Sequence, residues 1–191
     1  MSNFEAEKFQ EVYAAISIEK QSKIYWGFIN SLGQEVIPPI YTCVWNFNNG
    51  LAKVQINDEK WGYINTKGEI IIDIKYDSIE PLRNGFYKVS IKGGWGFINE
   101  NGDVIVPPIY SWVWEWNENI CTARIDGKHG AIDAKGNIVV PFEFEDIKPF
   151  TEGLCAVKKR GKWGFVNKSG VIVVNLKYDA VWQFKNTMVQ V

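Results

Sequence analysis

The sequence predicts an all-β protein: a tandem, solenoid-like open array of about five three-stranded, hairpin-type repeats behind an N-terminal capping helix. Three observations predict it. "WGFINSLG" at Trp26 returns as "WGYINTKG" at Trp61, "WGFINENG" at Trp95, "HGAIDAKG" at His129 and "WGFVNKSG" at Trp163, in steps of 35, 34, 34 and 34 residues. An aromatic recurs in the same phase at Tyr41, Tyr76, Tyr110, Phe144 and Tyr178. Between these marks the chain alternates apolar and polar residues over strand lengths, punctuated by glycine.

The elements follow in order. Residues 1–16 form the expected cap: Ser2 and Glu5 fit a capping box, and Phe9, Val12, Tyr13 and Ile16 fall on one helical face. An open array exposes its end repeats, which such a helix would cover. Residues 17–187 hold the five repeats. In each, a first strand such as "GLAKVQI" (50–56) leads to a tight hairpin such as "KGG" (92–94), "DGK" (126–128) or "RGK" (160–162), where glycine accepts positive φ. The second strand carries Trp-Gly-aromatic-aliphatic, and the adjacent Gly gives backbone clearance. Asn-x-x-Gly then fits a type I turn, as at Asn65 to Gly68, Asn99 to Gly102 and Asn167 to Gly170. A third strand follows, such as "EIIID" (69–73), and Pro38, Pro39, Pro107, Pro108 and Pro141 are expected to end it by removing backbone donors. Residues 188–191 match the start of a further first strand. A closed, propeller-like ring is the alternative architecture. A repeat of 34 residues is short for a four-stranded blade, which favours the open array.

The last segment of each repeat behaves differently. Counting the recurring aromatic as slot one, apolar residues fall at slots one, four and seven in every copy: Tyr41, Val44, Phe47; Tyr76, Ile79, Leu82; Tyr110, Val113, Trp116; Phe144, Ile147, Phe150; Tyr178, Val181, Phe184. That spacing suggests a 3₁₀-like turn or an irregular strand. It also separates the three tryptophans of "YSWVWEWNEN" (110–119). Trp116 holds an apolar slot and belongs to the core. Trp112 holds slot three, where other copies have Cys43, Ser78, Asp146 and Ala180. Trp114 holds slot five, with Trp45 and Trp182 but also Glu80 and Lys148 as equivalents. Rings at positions that elsewhere accept charge are candidates for recognition, because a rigid exposed ring is desolvated at small entropic cost. The candidate partner-binding residues are therefore Trp112, Trp114, Trp45, Trp182, Glu80 and Asn117.

Composition excludes several classes. A formal net charge of −1 argues against nucleic-acid binding, which needs a concentrated basic surface. The three cysteines, Cys43, Cys121 and Cys155, show neither a disulfide framework nor metal spacing. No apolar stretch is long enough to span a bilayer and no signal peptide is read at the start, so the expected location is cytoplasmic. Neither cofactor nor metal is expected.

A unit reading "KWGYINTKG-EIIIDIKYDSIEPLRNG" resembles the WG, or KWG, repeat family, over roughly residues 15–187. The resemblance implies a β-rich tandem array, found mostly in bacterial proteins, with no catalytic motif. It also implies a role as an immunity protein, since some small WG proteins are similar to immunity partners of secreted toxins. The residues themselves support no nucleophile with an identifiable base, because His129 is the only histidine. The expectation is a non-catalytic protein-binding module, with a glycan-binding module as the alternative. The enzymatic rival is a glycosidase using a pair among Glu80, Asp126, Asp146 and Asp179.

Overall fold

A computed structural model describes residues 12–57 and 59–182, and every regular element among them is a β-strand. The chain divides into two compact units, Met1–Ser78 and Ile79–Val191. The first sheet is β1 (Tyr13–Lys20), β2 (Lys23–Asn30) and β3 (Glu35–Tyr41). The second is β4 (Cys43–Val44), β5 (Leu51–Ile56), β6 (Lys60–Asn65) and β7 (Ile70–Tyr76). The third is β8 (Ser78–Ile79), β9 (Phe86–Ile91), β10 (Gly94–Asn99) and β11 (Val104–Tyr110). The fourth is β12 (Trp112–Asn117), β13 (Ile120–Ile125), β14 (Lys128–Asp133) and β15 (Ile138–Phe144). The fifth is β16 (Asp146–Ile147), β17 (Leu154–Lys159), β18 (Lys162–Asn167) and β19 (Ile172–Tyr178). Strands pair in sequence order within each sheet, and none of the sheets closes into a barrel.

Three expectations need correction. Tyr13 to Ile16 are not helical: they open β1, whose Tyr13 pairs with Asn30 and Lys20 with Lys23. Tyr13 and Ala15, two apart, pack on the same core, so the period is two and not 3.6. The rest of the expected cap, residues 1–11, and the 188–191 strand lie outside the described residues. Only the first sheet is three-stranded: the other four gain a fourth strand from the slot segment of the preceding repeat, two residues long in β4, β8 and β16 and six in β12. Finally, the prolines do not end the third strand. Pro38, Pro107 and Pro141 lie inside β3, β11 and β15, which are edge strands, where a missing N–H breaks no ladder bond.

The core forms where neighbouring sheets meet. In the first unit Phe28, Ile37 and Tyr41 of the first sheet pack on Ala52, Val54 and Ile64 of the second. In the second unit Phe97, Val106 and Tyr110 meet Val113, Trp116, Cys121 and Ala123, and one sheet further on Val140 and Phe144 meet Ile147, Cys155, Val157 and Val166. Slots one, four and seven are thus core positions in the middle of the array, with Phe150 buried as well. Among the described residues at these slots, Leu82 and Tyr178 are exposed.

Recurring residues have recurring jobs. Each WG aromatic is registered opposite slot one: Trp61 with Tyr76, Trp95 with Tyr110, His129 with Phe144, Trp163 with Tyr178. The ladder is bulged directly after it, which brings the third strand's backbone over the glycine. A methyl group on Gly96 would stand 2.7 Å from the backbone of both Pro107 and Pro108. In the turn after the WG strand, Asn65 Oδ1 accepts from the N–H of Lys67 and of Glu69, each at 3.0 Å, while the Gly68 N–H donates to the Asn65 carbonyl at 2.9 Å. Asn30, Asn99, Asp133 and Asn167 repeat the arrangement. Asn65→Ala removes both Oδ1 bonds, and with them the Nδ2 bond to the Glu69 carboxylate, from an exposed turn. It is expected to cost about 1 kcal/mol, read as a lower urea midpoint with an unchanged slope.

Candidate binding face

In the second to fifth sheets, three positions fall on one face: the WG aromatic, the third residue of the strand before it, and slot five. Together they form a rung. In the second sheet the Lys53 ammonium lies 4.4 Å from the Trp61 ring centre and 5.7 Å from that of Trp45. In the third sheet the Lys88 ammonium lies 4.8 Å from Trp95 and 4.0 Å from Trp112, with Glu80 Oε1 at 3.5 Å. In the fifth sheet the lysines come from other positions: Lys148, at slot five, stands 5.4 Å from Trp163, and Lys158 stands 5.8 Å from it. Each is a cation held against an indole face, an attraction worth about 0.5–1 kcal/mol when exposed and about 2 when desolvated. Lys88 is only 8% exposed, so its three partners offset the cost of burying the charge.

The fourth sheet departs from this scheme. Trp114 and His129 face each other at 5.6 Å and 52°, and the lysine position is Thr122, which is buried. Among the described residues no cation lies over Trp114. The His129 ring is oriented by its Nδ1, 2.9 Å from the Glu145 carbonyl. Glu145 in turn accepts from the Arg160 and Gly161 backbone, and these bonds, the Gly161 bond foremost, hold its carboxyl below the usual carboxylate range.

The predicted residues therefore divide. Trp112, 41% exposed, and Glu80 come together around Lys88 and Trp95. Half-buried Trp114 meets His129. Trp45 is 62% exposed beside Lys53, and Trp182 is 90% exposed with no ring contact among the described residues. Asn117 is exposed, and its amide donates to the Glu115 carbonyl at 3.4 Å. Trp116 belongs to the core, stacked on Phe86 at 4.6 Å, with its Nε1 buried and unpartnered among the described residues. Sequence reasoning missed Lys53, Lys88 and Thr122. Their signal was the third residue of "LAKVQ", "FYKVS" and "ICTAR", meaningful only once it is seen to lie beside the WG ring.

The carboxylates weighed for hydrolysis have other engagements. Glu80 pairs with Lys88, Asp179 pairs with Lys162 and is held below the usual range by it, and Asp146 Oδ1 accepts from the Ile147 N–H at 2.8 Å. Asp126 sits at a hairpin tip with φ of 49°. No group of three or more metal-ligating side chains occurs among the described residues, and no helix there is long and apolar enough to cross a membrane. Burial pushes the Cys121 and Cys155 thiols up to about 12, whereas Cys43 is half-buried. An aromatic disulfide reagent is therefore expected to modify Cys43 alone in the native chain and all three thiols after unfolding, read by absorbance.

The fold and its repeating face define a tandem β-repeat protein. Residues 26–59, 61–95, 95–128, 130–163 and 163–189 each match the WG containing repeat. The chain belongs to that family. Comparison with curated protein sequences gives no match. Among solved structures it is similar to the computationally designed Ika8 protein, at 13% identity and a TM-score of 0.39, covering 86% of this chain and 60% of that one. It is also similar to a structure described as the eukaryotic initiation factor (13%, 0.41, 92% of this chain and 55% of that one) and to the WD40 beta propeller domain of Doa1 (11%, 0.31, 78% and 62%). The chain thus spans about three-fifths of the length of each of these three.

Proposed function

We propose that the chain is a non-catalytic protein-binding repeat module acting in the cytoplasm. The observation that carries this reading is the aromatic face spanning the third and fourth sheets. There Trp112 covers Lys88 and Trp114 covers His129, two residues apart on β12. Rings anchored in this way are preorganised, so a partner that buries them meets little ordering cost. The narrower reading makes the partner a toxin domain that the chain neutralises, and its support is the resemblance to small WG proteins of that kind. A glycan-binding role draws on the same rings, but Asn117 already donates to Glu115, and Glu118 is taken by the Gly153 N–H and Lys168.

The test uses the purified chain as bait in lysate of its source cells, beside a Trp112→Ala, Trp114→Ala variant with the same circular-dichroism spectrum. A retained protein is then purified and its affinity for both baits measured by calorimetry. The expected result is a partner bound by the parent and at least about tenfold weaker to the variant, since two interface tryptophans carry on the order of 2 kcal/mol or more. Equal affinity for both baits overturns the reading.

A further inference from the structure

The rungs suggest what the partner presents. In the second, third and fifth sheets the chain supplies its own cation to the WG aromatic, from Lys53, Lys88 and Lys148 respectively. The fourth sheet keeps the aromatic pair, Trp114 and His129, but has Thr122 where the second and third sheets have lysine. The slot that supplies lysine in the fifth sheet is Trp114 itself. Arg124, registered opposite His129, is exposed and has no ring contact among the described residues. Thr122 is too short to carry a cation to either ring, and both rings of the pair are half-buried. The WG position that meets a cation in three sheets thus meets none among the described residues in this one.

We infer that the Trp114–His129 rung is a recognition site for a cationic side chain, lysine or arginine, of the bound protein. The inference rests on the protein-binding reading above and specifies its chemistry. The incoming cation takes the part that Lys88 takes in the neighbouring sheet, lying against the indole while the partner backbone passes over Trp112. Trp112 is already engaged by Lys88, so Trp114 reads charge and Trp112 supplies buried apolar area. The partner surface that fits is one with a lysine or arginine beside an apolar patch.

Small probes test the site without the partner, so its failure is separable from failure of the capture experiment. Nα-acetyl-lysine methylamide is titrated against its neutral counterpart, Nα-acetyl-norleucine methylamide, and the Trp indole N–H signals are followed by NMR, with Trp114 assigned through Trp114→Phe. The expected result is a saturable shift of the Trp114 indole and His129 ring signals, with the lysine probe preferred roughly two- to fivefold over the neutral one. Thr122→Lys, which copies the second and third sheets, fills the rung from within and is expected to abolish that shift. Should this variant lose the native circular-dichroism spectrum, Trp114→Lys, which copies Lys148, gives the same reading through the His129 ring. Equal shifts with the norleucine probe, no shift at Trp114, or an undiminished shift in a folded lysine variant would overturn the inference.

Discussion

Gly96→Ala is expected to destabilise the protein by about 3 kcal/mol, enough to lower a melting temperature by roughly 6–12 °C for a chain of this size. The added methyl meets the Val106 carbonyl and the Pro107 and Pro108 backbone, not the yielding end of a side chain. Relief requires β11 to move away from β10 at the bulge, disturbing Phe97 and Val106 in the core beneath. Prolines in the facing stretch leave that strand little freedom to adjust. Gly62 and Gly164 meet third-strand carbonyl oxygens in the same way, so alanine there has the same sign. Differential scanning calorimetry of the three variants checks it. A loss under about 1 kcal/mol at all three positions would show that the close approach is not needed.

Trp116→Ala is the second. Its ring is 7% exposed, stacked on Phe86 and tilted against Phe97 at 5.1 Å, so truncation empties a large space among side chains that cannot collapse into it. The expected loss is about 3–5 kcal/mol in urea unfolding. Trp114→Ala, two residues away on the same strand, removes a half-buried ring in contact with His129 and is expected to cost about 1 kcal/mol or less. The unpartnered Nε1 of Trp116 suggests that Trp116→Phe, which deletes the stranded donor while keeping an aromatic ring, falls well short of the alanine loss. Comparable costs for Trp114→Ala and Trp116→Ala would mean that both rings serve the fold equally.

Much of this architecture was legible because five copies of one unit act as controls on each other. A residue kept from copy to copy, such as the WG glycine or the turn asparagine that becomes Asp133 only in the fourth copy, announced a backbone requirement, and the structure supplies the carbonyl or N–H behind it. Trp116 was separable from Trp112 and Trp114 for the same reason. The N-terminal segment had no such control. Tyr13 and Ile16 are three apart, a spacing that suits a helical face, and the pairing of β1 with β2 overrode it. The rung lysines were hidden differently. Lys53 and Lys88 look like the polar face of an alternating strand, and only the strand-to-strand register shows that this face carries a tryptophan. The edge prolines were misread because a sequence does not say which strand lies at the rim of its sheet.

One consequence concerns how such a chain folds and how it grows. Four sheets borrow their opening strand from the preceding copy, so the 34-residue period read along the chain and the sheet built in space are out of phase. Cutting the chain between two copies therefore cuts through a sheet, and any copy after the first, in isolation, lacks the opening strand of its four-stranded sheet. The ladder partners within each sheet are nonetheless close in sequence, which keeps loop-closure costs low. Ordering one sheet places the opening strand of the next, so within each unit order spreads from neighbour to neighbour. The same offset makes lengthening simple. A tandem duplication of a 34-residue window lying wholly between Trp61 and Trp163, wherever in that stretch it begins, keeps the repeat in phase and so inserts one further sheet.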